Sequence, residues 1–74
     1  MDQQMILEHL AQSREHIALG DKHIAQQREL IIKLECEGRD SVHARELLIQ
    51  LEKLQEAHVA HRNWLEKELA KISN

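Results

Sequence analysis

Apolar residues in this chain recur at alternating intervals of three and four, with one interruption, and no proline stands anywhere in its 74 residues. That spacing is the signature of helices that wind around one another with a left-handed supercoil. The interruption is Glu37-Gly38-Arg39-Asp40-Ser41. Gly38 suits the left-handed position that closes a helix. Asp40 or Ser41 can cap the next helix by accepting hydrogen bonds from its free N–H groups. The pattern predicts one domain over 1–74, with helix 1 at about 2–37, a loop at 38–40 and helix 2 at about 41–72. A short loop makes two long helices antiparallel neighbours. Glu35 and Glu37 oppose the helix dipole at the end of helix 1, whereas Lys67 and Lys71 suit it at the end of helix 2. A single long helix kinked at Gly38 is the alternative.

Composition narrows the class further. Ala, Glu, Lys, Leu and Arg make up about half of the chain, as in coiled coils and long helices. A sheet protein and a disordered tail are excluded, and one cysteine cannot form an internal disulfide framework. No apolar run approaches the ~18 residues a membrane span needs, and the first residues have neither the basic start nor the apolar core of an export signal. A cytoplasmic protein without membrane contact is expected. The fold class is therefore all-α: an antiparallel two-helix hairpin, associating into a four-helix bundle.

The heptad assignment places the core. With Ile6 at position d, helix 1 has Leu10, Ile17, Ile24 and Ile31 at a, and Ser13, Gly20, Gln27 and Leu34 at the other d positions. The same pattern in helix 2 gives Ala44, Leu51, His58, Leu65 and Ile72 at a, with Leu47, Leu54, His61 and Glu68 at d. Folding the chain back at residue 39 sets Ile6 opposite Ile72, Ser13 opposite Leu65, Ile17 opposite His61 and Gly20 opposite His58. Gly20, costly inside a helix, would then make room for an imidazole. Glu68 is the misfit, and its neighbour Leu69 can take over that layer.

One seam between two helices is a small core for a chain of this size. Apolar residues also remain outside it. Leu7, Leu48, Val59 and Leu69 are among them, while Ala11, Ala18, Ala25 and Ile32 recur every seven residues at position b of helix 1. A column of small residues lets another helix approach closely. These eight residues are candidate oligomer contacts, and a homodimeric four-helix bundle is the simplest closure.

Six histidines are the least ordinary feature. His9, His16 and His23 repeat every seven residues at position g, His58 and His61 fall on the expected seam, and His43 lies in the first turn of helix 2. The pairing brings His16, His23, His58 and His61 close along the axis, with Trp64 opposite His16. Neutral imidazole is a common ligand for zinc, copper, iron and nickel, and bundle cores house such sites. These four residues are the candidate metal or haem ligands. Against that reading, no histidine follows a glutamate by three residues, and no Cys-x-x-Cys-His haem attachment occurs. The preferred reading makes them partly buried polar residues that set register, with no cofactor required. Histidines buried in the seam would also weaken the bundle in mild acid, since protonation there charges an apolar layer.

Other chemistries find no support. The chain has no glycine-rich phosphate loop and no Ser/His/Asp constellation, and two helices offer no enclosed pocket. No enzymatic activity is expected. Cys36 sits at an outward position between Glu35 and Glu37, which disfavour a reactive thiolate, and it is read as a bystander. Arg14, Arg28 and Arg62 could touch RNA, but the net charge of −3 and the lack of interleaved aromatics make a weak electrostatic footprint. Pairing of these arginines with acids of a partner chain is the preferred account.

The stretch from His16 to Leu69 resembles a group of short bacterial proteins of unknown function. The likeness is carried by His16-Ile17-Ala18-x-Gly20, by Gln27 with Leu30-Ile31, Leu34-Glu35 and Gly38, by Ala44 with Leu47-Leu48 and Leu51-Glu52, and by Gln55 with His58, His61-Arg62 and Leu65. The resemblance implies a helical hairpin and supplies no activity or site residues. The expected role is a non-catalytic, oligomerising interaction module that binds itself and another protein as a small adaptor or regulator. A metal- or haem-binding bundle is the alternative, and an RNA-binding hairpin dimer, of the kind seen among small plasmid-copy-number regulators, is third.

Overall fold

The computed structural model describes residues 2–73, and these form two long helices packed against each other with no strand among them. Helix α1 spans Gln3–Cys36 and helix α2 spans Val42–Ser73, within a residue of the boundaries read from the sequence. The hairpin is a rod whose Cα extents are 57 × 14 × 14 Å. Neither helix is long and apolar enough to cross a membrane.

Each helix end has an identifiable device. Asp2 caps α1 by accepting a hydrogen bond from the Met5 amide at 2.8 Å. At the other end Gly38 takes φ +68°. There the Gly38 amide donates to the Glu35 carbonyl at 3.1 Å and the Arg39 amide to the Leu34 carbonyl at 2.8 Å. This pair of bonds is the Schellman closure, which satisfies carbonyls that the helix itself leaves free. Asp40 then accepts from the Val42 amide at 3.0 Å, and the Ser41 carbonyl accepts the first helical bond of α2 from Arg45 at 2.9 Å. The acidic end of α1 is compensated across the loop. Both carboxylate oxygens of Glu35 accept from Arg45 Nη2 at 2.7 Å, and Glu37 lies 3.5 Å from Arg39.

In α1 the inward stripe is the expected one. Ile6, Leu10, Ser13, Ile24 and Ile31 are buried, and Ile17, Gly20, Gln27 and Leu34 are half-buried. In α2 the stripe differs. Position a faces inward at Ala44, Leu51, His58 and Leu65, but its companions are Leu48, Gln55, Arg62 and Leu69, each one residue after the expected d position. Leu47, Leu54 and His61 are exposed, as is Ile72. Helix α2 is thus rotated relative to the symmetric a/d arrangement, and the layers shift with it. Leu65 packs with Ile6 and Leu10, with Leu69 against them, where the sequence reading set Leu65 opposite Ser13 and Ile72 opposite Ile6.

The loop makes a simple test of the hairpin. A Cβ built on Gly38 meets nothing within 4 Å, so a side chain there is opposed by backbone conformation alone. Gly38→Ala is expected to lower stability by about 1–2 kcal/mol, and Gly38→Asn by less, because asparagine enters the left-handed region more readily. Chemical denaturation of the three proteins checks this order. Equal stability of Gly38→Ala and the native chain would contradict the left-handed closure.

Candidate interaction face

The seam carries polar contacts that pin the two helices in register. Gln27 Nε2 donates to the Ala44 carbonyl at 2.9 Å. Gln55 Nε2 donates to the Ile17 carbonyl at 2.7 Å and to Asp21 Oδ1 at 2.9 Å. One glutamine from each helix therefore engages the backbone of the other. The Gln55 carboxamide lies directly over Gly20. A Cβ at residue 20 would overlap Gln55 Oε1 and stand 2.8 Å from its Cδ. Gly20 does face a large polar side chain, but that side chain is Gln55 rather than His58.

Rotation of α2 also decides where the histidines go. The rings of His16 and His58 meet across the seam with centroids 5.5 Å apart and planes tilted by 38°. His58 is half-buried, and its Nδ1 is buried without a hydrogen-bond partner among the described residues. His61 instead turns outward and stacks on Trp64 of its own helix, with centroids 6.2 Å apart and planes 15° apart. Trp64, expected opposite His16, is 49% exposed on that outer surface. His23 is exposed as well. Of the four candidate ligands, the fold brings His16 and His58 together and leaves His23 and His61 outside that pair. Among the described residues no group of three or more His, Cys, Asp or Glu side chains is placed to hold a metal ion.

The arginines lie beside acidic side chains of the same hairpin. Arg28 lies 3.5 Å from Glu52, and Arg14 and Arg62 lie 3.9 and 3.7 Å from Glu66. With Glu35–Arg45 these contacts form a ladder along one flank of the seam. Each pair is largely exposed and contributes at most about 1 kcal/mol. An open groove of about 480 Å³ runs along this flank, bordered by Asp21, Arg28, Glu52, Gln55 and Asn63.

The candidate oligomer contacts separate into two sets. Leu48, Val59 and Leu69 are half-buried, Leu69 against the Ile6–Leu10–Leu65 cluster. Leu7, Ala11, Ala18, Ala25 and Ile32 remain exposed, Ile32 at 61%. Leu47 and Leu54, at heptad position d, are exposed as well, at 46% and 55%. Cys36 is free and exposed. Comparison of the chain with protein-family models, with curated proteins and with solved structures returns no match.

The Gly20–Gln55 contact predicts a coupling between two positions. With Gln55→Ala in place, Gly20→Ala should stabilise the chain by up to about 1 kcal/mol, the ordinary helix-propensity gain. With Gln55 present, the added methyl must displace a carboxamide whose two hydrogen bonds are each worth about 0.5–1.5 kcal/mol, so the gain should vanish or reverse. Gly20→Leu should cost about 1–3 kcal/mol by overpacking. A double-mutant cycle by urea denaturation reads the coupling. Additive effects of Gly20→Ala and Gln55→Ala would show that the two side chains do not meet.

Proposed function

We propose that the chain is a non-catalytic interaction module that self-associates as a homodimeric four-helix bundle and serves as a small protein-binding adaptor or regulator. The observation that carries this reading is an imbalance in burial. Among the described residues five apolar side chains are buried, while eleven large apolar side chains stand exposed. A hairpin that leaves so much apolar surface in water gains by covering it, and large exposed apolar surface is the mark of an interaction site. The rod form suits the role, because it presents two uninterrupted helices along 57 Å. A single free, exposed cysteine fits a reducing compartment, which supports a place in the cytoplasm.

A protein partner is favoured over RNA by the engagement of the basic side chains. Arg14, Arg28, Arg45 and Arg62 each lie within 4 Å of an acidic side chain of the same hairpin. Such pairing cancels the basic field that a phosphate backbone requires.

Sedimentation equilibrium of the untagged full chain at micromolar concentration tests self-association. The expected result is twice the chain mass of 8.7 kDa, with a thermal midpoint that rises with concentration, since association stabilises the folded state by mass action. A mass of 8.7 kDa together with a cooperative, concentration-independent melt would overturn the proposal.

A further inference from the structure

The two broad faces of the hairpin differ sharply in charge. One is marked by the Glu35–Arg45, Arg28–Glu52 and Arg14–Glu66 ladder. The other is marked by the His16–His58 contact. Beside the seam on this second face α1 carries His9, His16, His23 and Leu30, and α2 carries Leu47, Leu54 and His61. Between the two ends, neither these columns nor the columns just outside them contain Asp, Glu, Lys or Arg. Charge returns at Lys33, Glu37 and Asp40 near the loop and at Asp2, Glu68 and Lys71 near the open end. On the ladder face, by contrast, Arg14, Asp21, Arg28 and Glu35 line the seam, and Glu8, Glu15, Lys22 and Glu29 lie outside the alanine column.

We infer that the histidine–leucine face is where a second copy of the chain docks, and that the alanine column is not. The inference rests on the self-association proposed above and fixes its surface. First, between its two ends this face can be covered without desolvating a formal charge, whereas covering the ladder face would strip water from ion pairs that the partner cannot replace. Second, a partner must itself offer an uncharged surface of matching length, and a second copy does so by symmetry. An antiparallel two-fold arrangement also sets Lys33 and Glu37 of one copy near Glu68 and Lys71 of the other, so each end meets both signs. Third, the size is right: with its charged ends included, a face of 57 × 14 Å is roughly 800 Å² per chain, which is what each partner gives to a standard stable interface. The facing imidazoles, when neutral, can donate and accept hydrogen bonds to one another.

Sedimentation equilibrium of full-length variants separates this inference from self-association itself. Leu47 and Leu54 are half exposed in the hairpin, so a charge there spares the seam. Leu47→Glu and Leu54→Glu should each weaken dimerisation about 100-fold or more, because each would bury an unpaired carboxylate. Ala18→Glu should change it less than about threefold, as a surface substitution away from the contact. A dimer broken by Ala18→Glu but indifferent to both leucine substitutions would leave self-association standing and overturn the face. A native chain that stays monomeric would overturn both. Diethyl pyrocarbonate labelling of the native chain gives a reading that depends on no variant. Modification of His23 and His61 should slow as the protein concentration rises through the dimerisation range, and unchanged rates would overturn the inference.

Discussion

The Gln55 carboxamide resting on Gly20 is the contact on which the rest of the hairpin depends. It fixes two things at once: the axial position of α2 along α1, and its rotation about its own axis. Only glycine allows the carboxamide this close, and its amide group uses the approach to reach the Ile17 carbonyl and Asp21. With Gln55 facing inward, Leu48, Arg62 and Leu69 share its stripe, and Leu47, Leu54 and His61 turn to the surface. The exposed histidine–leucine face is therefore a consequence of the seam.

Different contacts carry stability and specificity here. Apolar burial is concentrated at Ile6, Leu10 and Leu65 near the open end, with Ile24 and Ile31 further along α1. Such burial is non-directional and would accept several registers. The glutamine-to-carbonyl bonds and the cross-helix ion pairs are each small in free energy, but they are directional and only one register satisfies them together. The pairs Glu35–Arg45, Arg28–Glu52 and Arg14–Glu66 all join the same flank of α1 to the same flank of α2. Polar groups used in this way choose among arrangements that burial alone leaves close in energy.

The sequence was most legible where one principle decided the outcome. Gly38 and Asp40 located the loop because closing a helix needs a left-handed residue and opening one needs an acceptor. The inner stripe of α1 followed from spacing, since Ile6, Leu10, Ile17, Ile24 and Ile31 recur at coiled-coil intervals along one side of the helix. In α2 two faces competed. Position d holds Leu47 and Leu54 with His61 and Glu68, and the adjacent column holds Leu48 and Leu69 with Gln55 and Arg62, so a pattern of hydrophobicity does not choose between them. The deciding facts lay between the helices: a glycine opposite a glutamine, and acids and arginines in complementary order along Arg14, Arg28 and Glu35 and along Glu66, Glu52 and Arg45. Reading those pairs together would have set the rotation. The histidines were misplaced for the same reason, since axial proximity gathered four of them and rotation separates His61 from His58.

Isotope-edited nuclear Overhauser spectroscopy at Gly20 reads the Gly20–Gln55 contact itself. A labelled chain diluted into excess unlabelled protein restricts the signals to contacts within one hairpin. Cross-peaks are expected from the Gly20 Hα protons to the Gln55 side-chain protons, with none from Gly20 to the His58 ring. Cross-peaks to His58, with Gln55 showing no contact to α1, would restore the symmetric seam, return Leu47, Leu54 and His61 to the core and remove the face on which a second copy is placed.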